Sequence, residues 1–167
     1  MEKKLVIGLG NPGAAFEGTR HNLGVDVLRH WVGEQAEWKA DSKINAEVAV
    51  VSSQWSVVSC LFPLTGMNES GQAVAAFLQN NLVEPEHILI VHDELELALG
   101  DVKLKAGGSA KGHNGVRSIQ QHLGTDEIRR LRLGIGRPPV GVTVHDFVLA
   151  RFRLEEQESI TQLNARA

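Results

Sequence analysis

The stretch HILIVHDE, residues 87–94, decides the fold. Its apolar run, Ile88 to Val91, is too short for a helix and is preceded by Pro85 and closed by charged residues. Such a run is a strand buried on both faces, as at the centre of a parallel sheet. KLVIGL, Lys4 to Leu9, has the same character and stops at a Gly/Asn/Pro cluster, so it predicts a buried strand feeding a loop that reaches His21. From Asn22 the apolar positions Leu23, Val27, Leu28, Trp31 and Val32 recur at helical spacing, and Gly33 stops that helix. Glu47–Val51 and Val57–Phe62 predict a hairpin around a Ser-Ser-Gln turn. A second helix is expected from Ser70 through Leu82, with Val74, Phe77 and Leu78 on one face and Pro85 blocking continuation. Further along lie a strand at Val102–Lys105, a glycine-rich loop at Gly107–Gly115, a helix at Val116–Leu123, a strand at Leu131–Ile135, an ordered piece at Phe147–Leu149 and a short amphipathic tail from about residue 154. Strands and helices alternate with no repeat and no linker. The expected architecture is therefore one α/β domain over residues 1–167, a three-layer α/β/α sandwich on a mixed, mainly parallel twisted sheet.

Bulk properties narrow the function classes. At 167 residues, 43% apolar and 22% charged, the chain can bury a core and is unlike disordered or fibrous sequences. The single cysteine, Cys60, sits in an apolar stretch and excludes both an internal disulfide and a cysteine metal site. No apolar run approaches the ~18 residues of a membrane span, and the amino end enters a strand pattern directly, so a cytoplasmic protein without membrane partners is expected. The net charge is −3, yet Lys103 to Arg137 holds eight Lys and Arg residues against Asp126 and Glu127. A cationic face on an otherwise acidic chain can attract phosphate.

Gly8, Gly10 and Gly13 match the dinucleotide fingerprint G-x-G-x-x-G after a strand. The fingerprint should open a helix and lead to a second strand bearing an acid, but Pro12, Gly18 and TRHN occupy that space, so no nucleotide cofactor is expected. Asp93 closes a central strand, and the carboxyl ends of such strands are where ligand sites gather. If it accepts a hydrogen bond from one nitrogen of His21, the other nitrogen is free to take a proton from water. His21, His92, Asp93, Glu94 and His113 show no metal-ligand spacing such as i, i+4 on one helix, and no metal is expected. Asn11, Asn68 and Asn114 each stand at a loop junction. Asn68 and Asn114 have good N-cap positions, and an amide beside a cleft also suits peptide or water recognition. Lys103 and Lys105 share one face of their strand, as do Arg130 and Arg132, so two strands are expected to present a continuous cationic strip.

The motifs GLGNPGAAFEGTRHNLG, TGMNESG, VHDELELALG and GGSAKGHNGVRSI, followed by RLRLGIGRP, together resemble the bacterial-type peptidyl-tRNA hydrolase family from about Lys4 to Phe152. The resemblance implies hydrolysis of the ester between a peptide and the terminal adenosine of tRNA, without a cofactor and usually by a monomer. It implies that His21 is the general base and Asp93 its orienting partner. Asn11, Asn68 and Asn114 would hold peptide, water or adenosine, and Phe16, Met67 and His113 would be further substrate contacts. Lys105 and Arg132, with Lys103 beside them, would bind tRNA, the first two clamping its 5′-phosphate. Several positions depart from the family pattern. Gly66 replaces an aromatic residue and should thin one wall of the cleft. Lys111 replaces a glycine and, if φ is positive there, carries about 1 kcal/mol of strain. LALGD lacks a proline, and Ala150 replaces a glycine. The sequence ends at Ala167, where relatives continue through a longer final helix that covers the substrate channel. A different class, a non-catalytic RNA-binding relative resembling splicing factors, would keep the cationic face without hydrolysing anything. A nucleotide-dependent oxidoreductase would require bound cofactor.

Overall fold

The computed structural model describes all 167 residues. Its strands are β1 (Glu2–Gly8), β2 (Lys39–Asp41), β3 (Ala46–Ser52), β4 (Ser56–Pro63), β5 (Ile88–Glu94), β6 (Val102–Lys105) and β7 (Arg129–Gly134). The helices are α1 (Leu23–Val32), α2 (Ser70–Asn80), α3 (Asn114–Leu123), α4 (Val144–Leu149) and α5 (Gln157–Arg166). All strands join one sheet in the order β2-β3-β4-β1-β5-β7-β6. β4, β1, β5 and β7 are mutually parallel, and β3 and β6 run against their neighbours.

The double-sided burial expected of β1 and β5 is what the sheet requires of its centre. Leu5, Ile7, Ile88 and Ile90 pack on one face with Val74 and Phe77 of α2 and Val116 and Ile119 of α3. Val91 faces the opposite core, with Leu23 and Val27 of α1, Phe147 and Val148 of α4, and Leu163 of α5. β2 escaped the sequence reading because its three residues, Lys-Ala-Asp, are all exposed and have no apolar alternation. The tail proves to be a regular helix, with Leu163 fully buried.

Two close approaches bring the site elements together. Gly24, at the start of α1, lies on β5 so tightly that a Cβ there would stand 2.2 Å from the Val91 carbonyl oxygen. The same oxygen accepts from the Leu9 N–H at 3.1 Å, and the Leu9 carbonyl accepts from Val25. The turn bearing His21 is thereby held two residues from Asp93 on β5. On the other face, Gly71 lets α2 reach α3, where a Cβ would meet the Ser118 carbonyl oxygen at 2.2 Å.

The carboxyl-terminal segment is anchored to the same turn by Arg20. Its buried guanidinium donates to the carbonyls of Phe147, Ala150 and Arg151 at 3.2–3.3 Å and to both oxygens of Glu156 at 2.8 and 3.1 Å. It also stacks 4.3 Å from the Phe147 ring centroid. Breaking a buried pair from one side leaves an uncompensated charge, at a cost of about 3–5 kcal/mol. Glu156→Ala is therefore expected to lose about that much stability in urea unfolding. A loss below about 1 kcal/mol would show that the three carbonyls alone hold the guanidinium.

Candidate active site

Asp93 remains within β5 because pairing with β7 continues one residue further, to Glu94 opposite Gly134. Its carboxylate is buried and accepts from two imidazoles. His21, in the turn before α1, places Nδ1 at 2.9 and 3.1 Å from the two carboxylate oxygens. His113 places Nε2 at 2.8 Å from Oδ1. The ring of His113 also caps α3, its Nδ1 accepting from the Val116 N–H at 3.4 Å. A proton on Nε2 satisfies both contacts, so the network assigns this tautomer to His113. His21 correspondingly donates through Nδ1–H, and its Nε2 keeps a lone pair with no protein partner.

The electrostatics follow from this array. Burial opposes charge on His21, but the adjacent Asp93 carboxylate outweighs it and raises the imidazole pKa above its ordinary value. Burial alone would push Asp93 up, whereas His113 and His21 hold its carboxyl well below the usual range. His92, behind His113 with ring centroids 4.9 Å apart, is pushed down to about 3 by burial and stays neutral. Burial pushes the Cys60 thiol up to about 12, which removes it as a nucleophile.

His21, Asp93 and His113 bring three potential ligand atoms within 4.8 Å of one another, a cluster that sequence spacing could not reveal because each comes from a different segment. The N···O separations of 2.8–2.9 Å are hydrogen-bond distances. Two ligands of a tetrahedral zinc ion stand about 3.3 Å apart, so the array as built fits shared protons better than an ion.

The array opens into a cavity of about 700 Å³. All the cleft residues nominated from sequence line it: His21, Asp93, Asn11, Phe16, Met67, Asn68, His113 and Asn114. Asn11 Oδ1 accepts from the Met67 N–H at 2.8 Å, leaving its amide group as a donor. Asn22, which the sequence reading did not single out, fixes Asn11 by accepting from its N–H at 2.8 Å and donating to its carbonyl at 2.9 Å. Only tertiary contact marks that role. The capping expectation for Asn68 and Asn114 is corrected. A 3-10 turn, Met67–Glu69, displaces the start of α2, and the His113 ring takes the cap of α3. Both asparagine side chains are exposed and free of internal hydrogen bonds. Gly66 has φ +83° and nothing within 4 Å of an added Cβ, so the cleft wall is open where the family has an aromatic. α4 contributes Val144, Val148 and Leu149 to the far side, also unforeseen.

The cationic strip is narrower than expected. Lys103 pairs opposite Arg132 and Lys105 opposite Arg130. Arg130, however, is buried and donates to the carbonyls of Ser109 at 3.0 Å and Gly107 at 3.5 Å, so it braces the glycine-rich loop. Lys103, Lys105 and Arg132 remain. Arg132 uses Nε for Glu94 at 2.8 Å, and Glu94 itself lines the cavity, so the strip adjoins the site.

The fold is a doubly wound α/β sheet whose His–Asp pair, at the carboxyl end of the central strands, has the geometry of a general base and its orienting carboxylate. Residues 5–167 match the sequence model of the peptidyl-tRNA hydrolase family. A peptidyl-tRNA hydrolase from Legionella pneumophila is 44% identical, over 96% of this chain and 85% of that protein. One from Halalkalibacterium halodurans is 41% identical, over 95% of this chain and 86% of that protein. The crystal structure of peptidyl-tRNA hydrolase from Acinetobacter baumannii superposes with a TM-score of 0.88 at 37% identity, covering 95% of this chain and 81% of that one. The chain belongs to the peptidyl-tRNA hydrolase family.

The paired geometry gives a spectroscopic expectation. In an NMR titration the His21 ring should titrate above the ordinary imidazole value of 6.5. Asp93→Asn keeps an acceptor but removes the anion, so the opposing effect of burial should then carry the midpoint below 6.5. An unchanged midpoint would show that Asp93 does not govern the His21 proton.

Proposed function

We propose that this chain releases peptide from peptidyl-tRNA by sending water at the ester to the terminal ribose, with His21 as general base. The observation that carries this is the His21 Nδ1 contact with the Asp93 carboxylate at 2.9 Å: it assigns the proton to Nδ1 and leaves a free Nε2 on a ring that lines the cavity. Water attacks the ester carbonyl carbon as Nε2 takes its proton. The buried Asp93 carboxylate stabilises the resulting imidazolium and keeps the ring oriented. The tetrahedral intermediate then expels the ribose oxygen, which recovers the proton from His21. The products are a peptide carboxylic acid and a free tRNA hydroxyl, and an already activated ester needs neither metal nor covalent nucleophile.

The free amides of Asn11, Asn68 and Asn114 supply donors for the peptide and for the developing oxyanion, while Phe16 and Met67 offer apolar contact. His113 lines the cleft as a further substrate contact and also donates to Asp93. Lys103, Lys105 and Arg132 bind the tRNA backbone, with the last two taking the 5′-phosphate. A monomer without cofactor, working in the cytoplasm beside the translation machinery, completes the reading; no helix of the chain is long and apolar enough to cross a membrane.

Because general-base help is worth about 10²–10⁴-fold, His21→Ala should lower single-turnover release from an N-blocked aminoacyl-tRNA by at least that order. Retention of more than about a tenth of the rate would remove His21 from the role. Lys105→Ala and Arg132→Ala should raise KM for full-length peptidyl-tRNA with little change in kcat, and each should flatten the log-log salt dependence by a little under one unit. A substrate without the 5′-phosphate should be barely affected, and equal losses on both substrates would instead assign these residues to the fold or the chemistry.

A further inference from the structure

Lys111 stands where the resembling family has glycine, and the backbone still has the glycine-like shape, with φ +46°. Asn45 is the only other non-glycine residue with positive φ, and asparagine tolerates that region far better than lysine. A side chain retained at a position costing about 1 kcal/mol relative to glycine points to a use for the side chain.

Its placement identifies that use. Lys111 lines the catalytic cavity beside His113 and Asn114. It is also close enough to the cationic strip to depress the Lys105 pKa, after slight burial and Arg130 and together with Arg132. Lys105 in turn lies over the same loop, with Nζ 3.3 Å from the position of a Cβ on Gly108. The other cation lining the cavity, Arg137, is paired with Glu96. Of the acids facing this end of the cavity, Glu94 is engaged by Arg132 and Glu69 by Gln72. Lys111 has no acidic partner. It is the unpaired cation between the His21–Asp93 pair and the strip.

We propose that Lys111 binds an internal phosphodiester of the single-stranded 3′ end, next to the nucleoside that carries the ester. The inference rests on the peptidyl-tRNA reading above and adds a contact that the family's usual glycine cannot make. With the ester at His21 and the acceptor-stem phosphates on Lys105 and Arg132, the loop that runs from Lys105 to His113 and bears Lys111 on the cavity is placed to meet the connecting backbone. A flexible ammonium can neutralise one phosphate there without reading a base.

The test compares Lys111→Gly, which keeps the backbone shape, with Lys111→Arg, which keeps the charge, on three substrates. These are full-length peptidyl-tRNA, a CCA trinucleotide bearing the peptidyl ester, and peptidyl-adenosine, which has no phosphate. Lys111→Gly should raise KM about two- to fivefold on the first two, the range of an exposed ion pair, with kcat unchanged. Peptidyl-adenosine should be unaffected, the trinucleotide salt slope should flatten by about 0.7, and Lys111→Arg should behave like wild type. Binding of the deacylated CCA trinucleotide, followed by fluorescence anisotropy, separates this inference from the reading it rests on. A wild-type chain that hydrolyses none of the substrates would remove the proposed function. Unchanged trinucleotide affinity in Lys111→Gly, or an equal loss on peptidyl-adenosine, would overturn the role of Lys111.

Discussion

The site depends on one buried carboxylate. Asp93 lies buried at the carboxyl end of a central strand, where an unpartnered negative charge would cost several kcal/mol, and it is tolerated because two imidazoles donate to it. That requirement orders much of what surrounds it. His21 must sit at the end of β5, so α1 approaches the strand at Gly24. His113 presents Nε2–H to Asp93 while its Nδ1 accepts from the Val116 N–H and so caps α3. The helix start, the histidine tautomer and the charge on Asp93 are therefore parts of a single hydrogen-bonded chain. A change in any of them reaches the lone pair of His21.

A second buried charge sets where the first can act. Arg20 immediately precedes His21, and the two terminal nitrogens of its guanidinium are engaged by carbonyls from the end of α4 and by Glu156. The carboxyl-terminal segment thus forms part of the cavity wall through α4 and anchors the turn that bears His21 through Glu156. This gives α4, and Glu156 just before α5, a part in the cavity that local sequence does not announce.

The glycine-rich loop joins binding to chemistry. It leaves β6 just beyond Lys105, is braced by Arg130 and by Gln120, whose side chain donates to the Gly108 carbonyl at 2.8 Å, and ends in the His113 cap. Of the two β7 arginines that alternate in sequence, Arg130 spends donors on this loop while Arg132 donates only its Nε, to Glu94. The lysines of β6 and the Asp93 partner His113 are therefore joined by one short, tethered segment.

Much of the fold was legible locally. The apolar runs at Lys4–Leu9 and His87–Val91, the helical spacing after Asn22 and the breakers at Gly33 and Pro85 act over a few residues, so they fixed the alternation of strands and helices and put Asp93 at a strand end. All eight cleft residues nominated by the motif set likewise line the cavity. Other features belong to the tertiary structure alone. These include the sharing of Asp93 by two histidines, the bracing of Asn11 by Asn22, the burial of Arg130 beside a partly free Arg132, the edge strand β2, and the pairing of Arg20 with Glu156 across 136 residues. Periodicity records which face of an element is buried, but not which distant polar group will meet it there. Hydrogen bonds between buried charges are settled only when every intervening element has packed, because their directions and distances must be satisfied together.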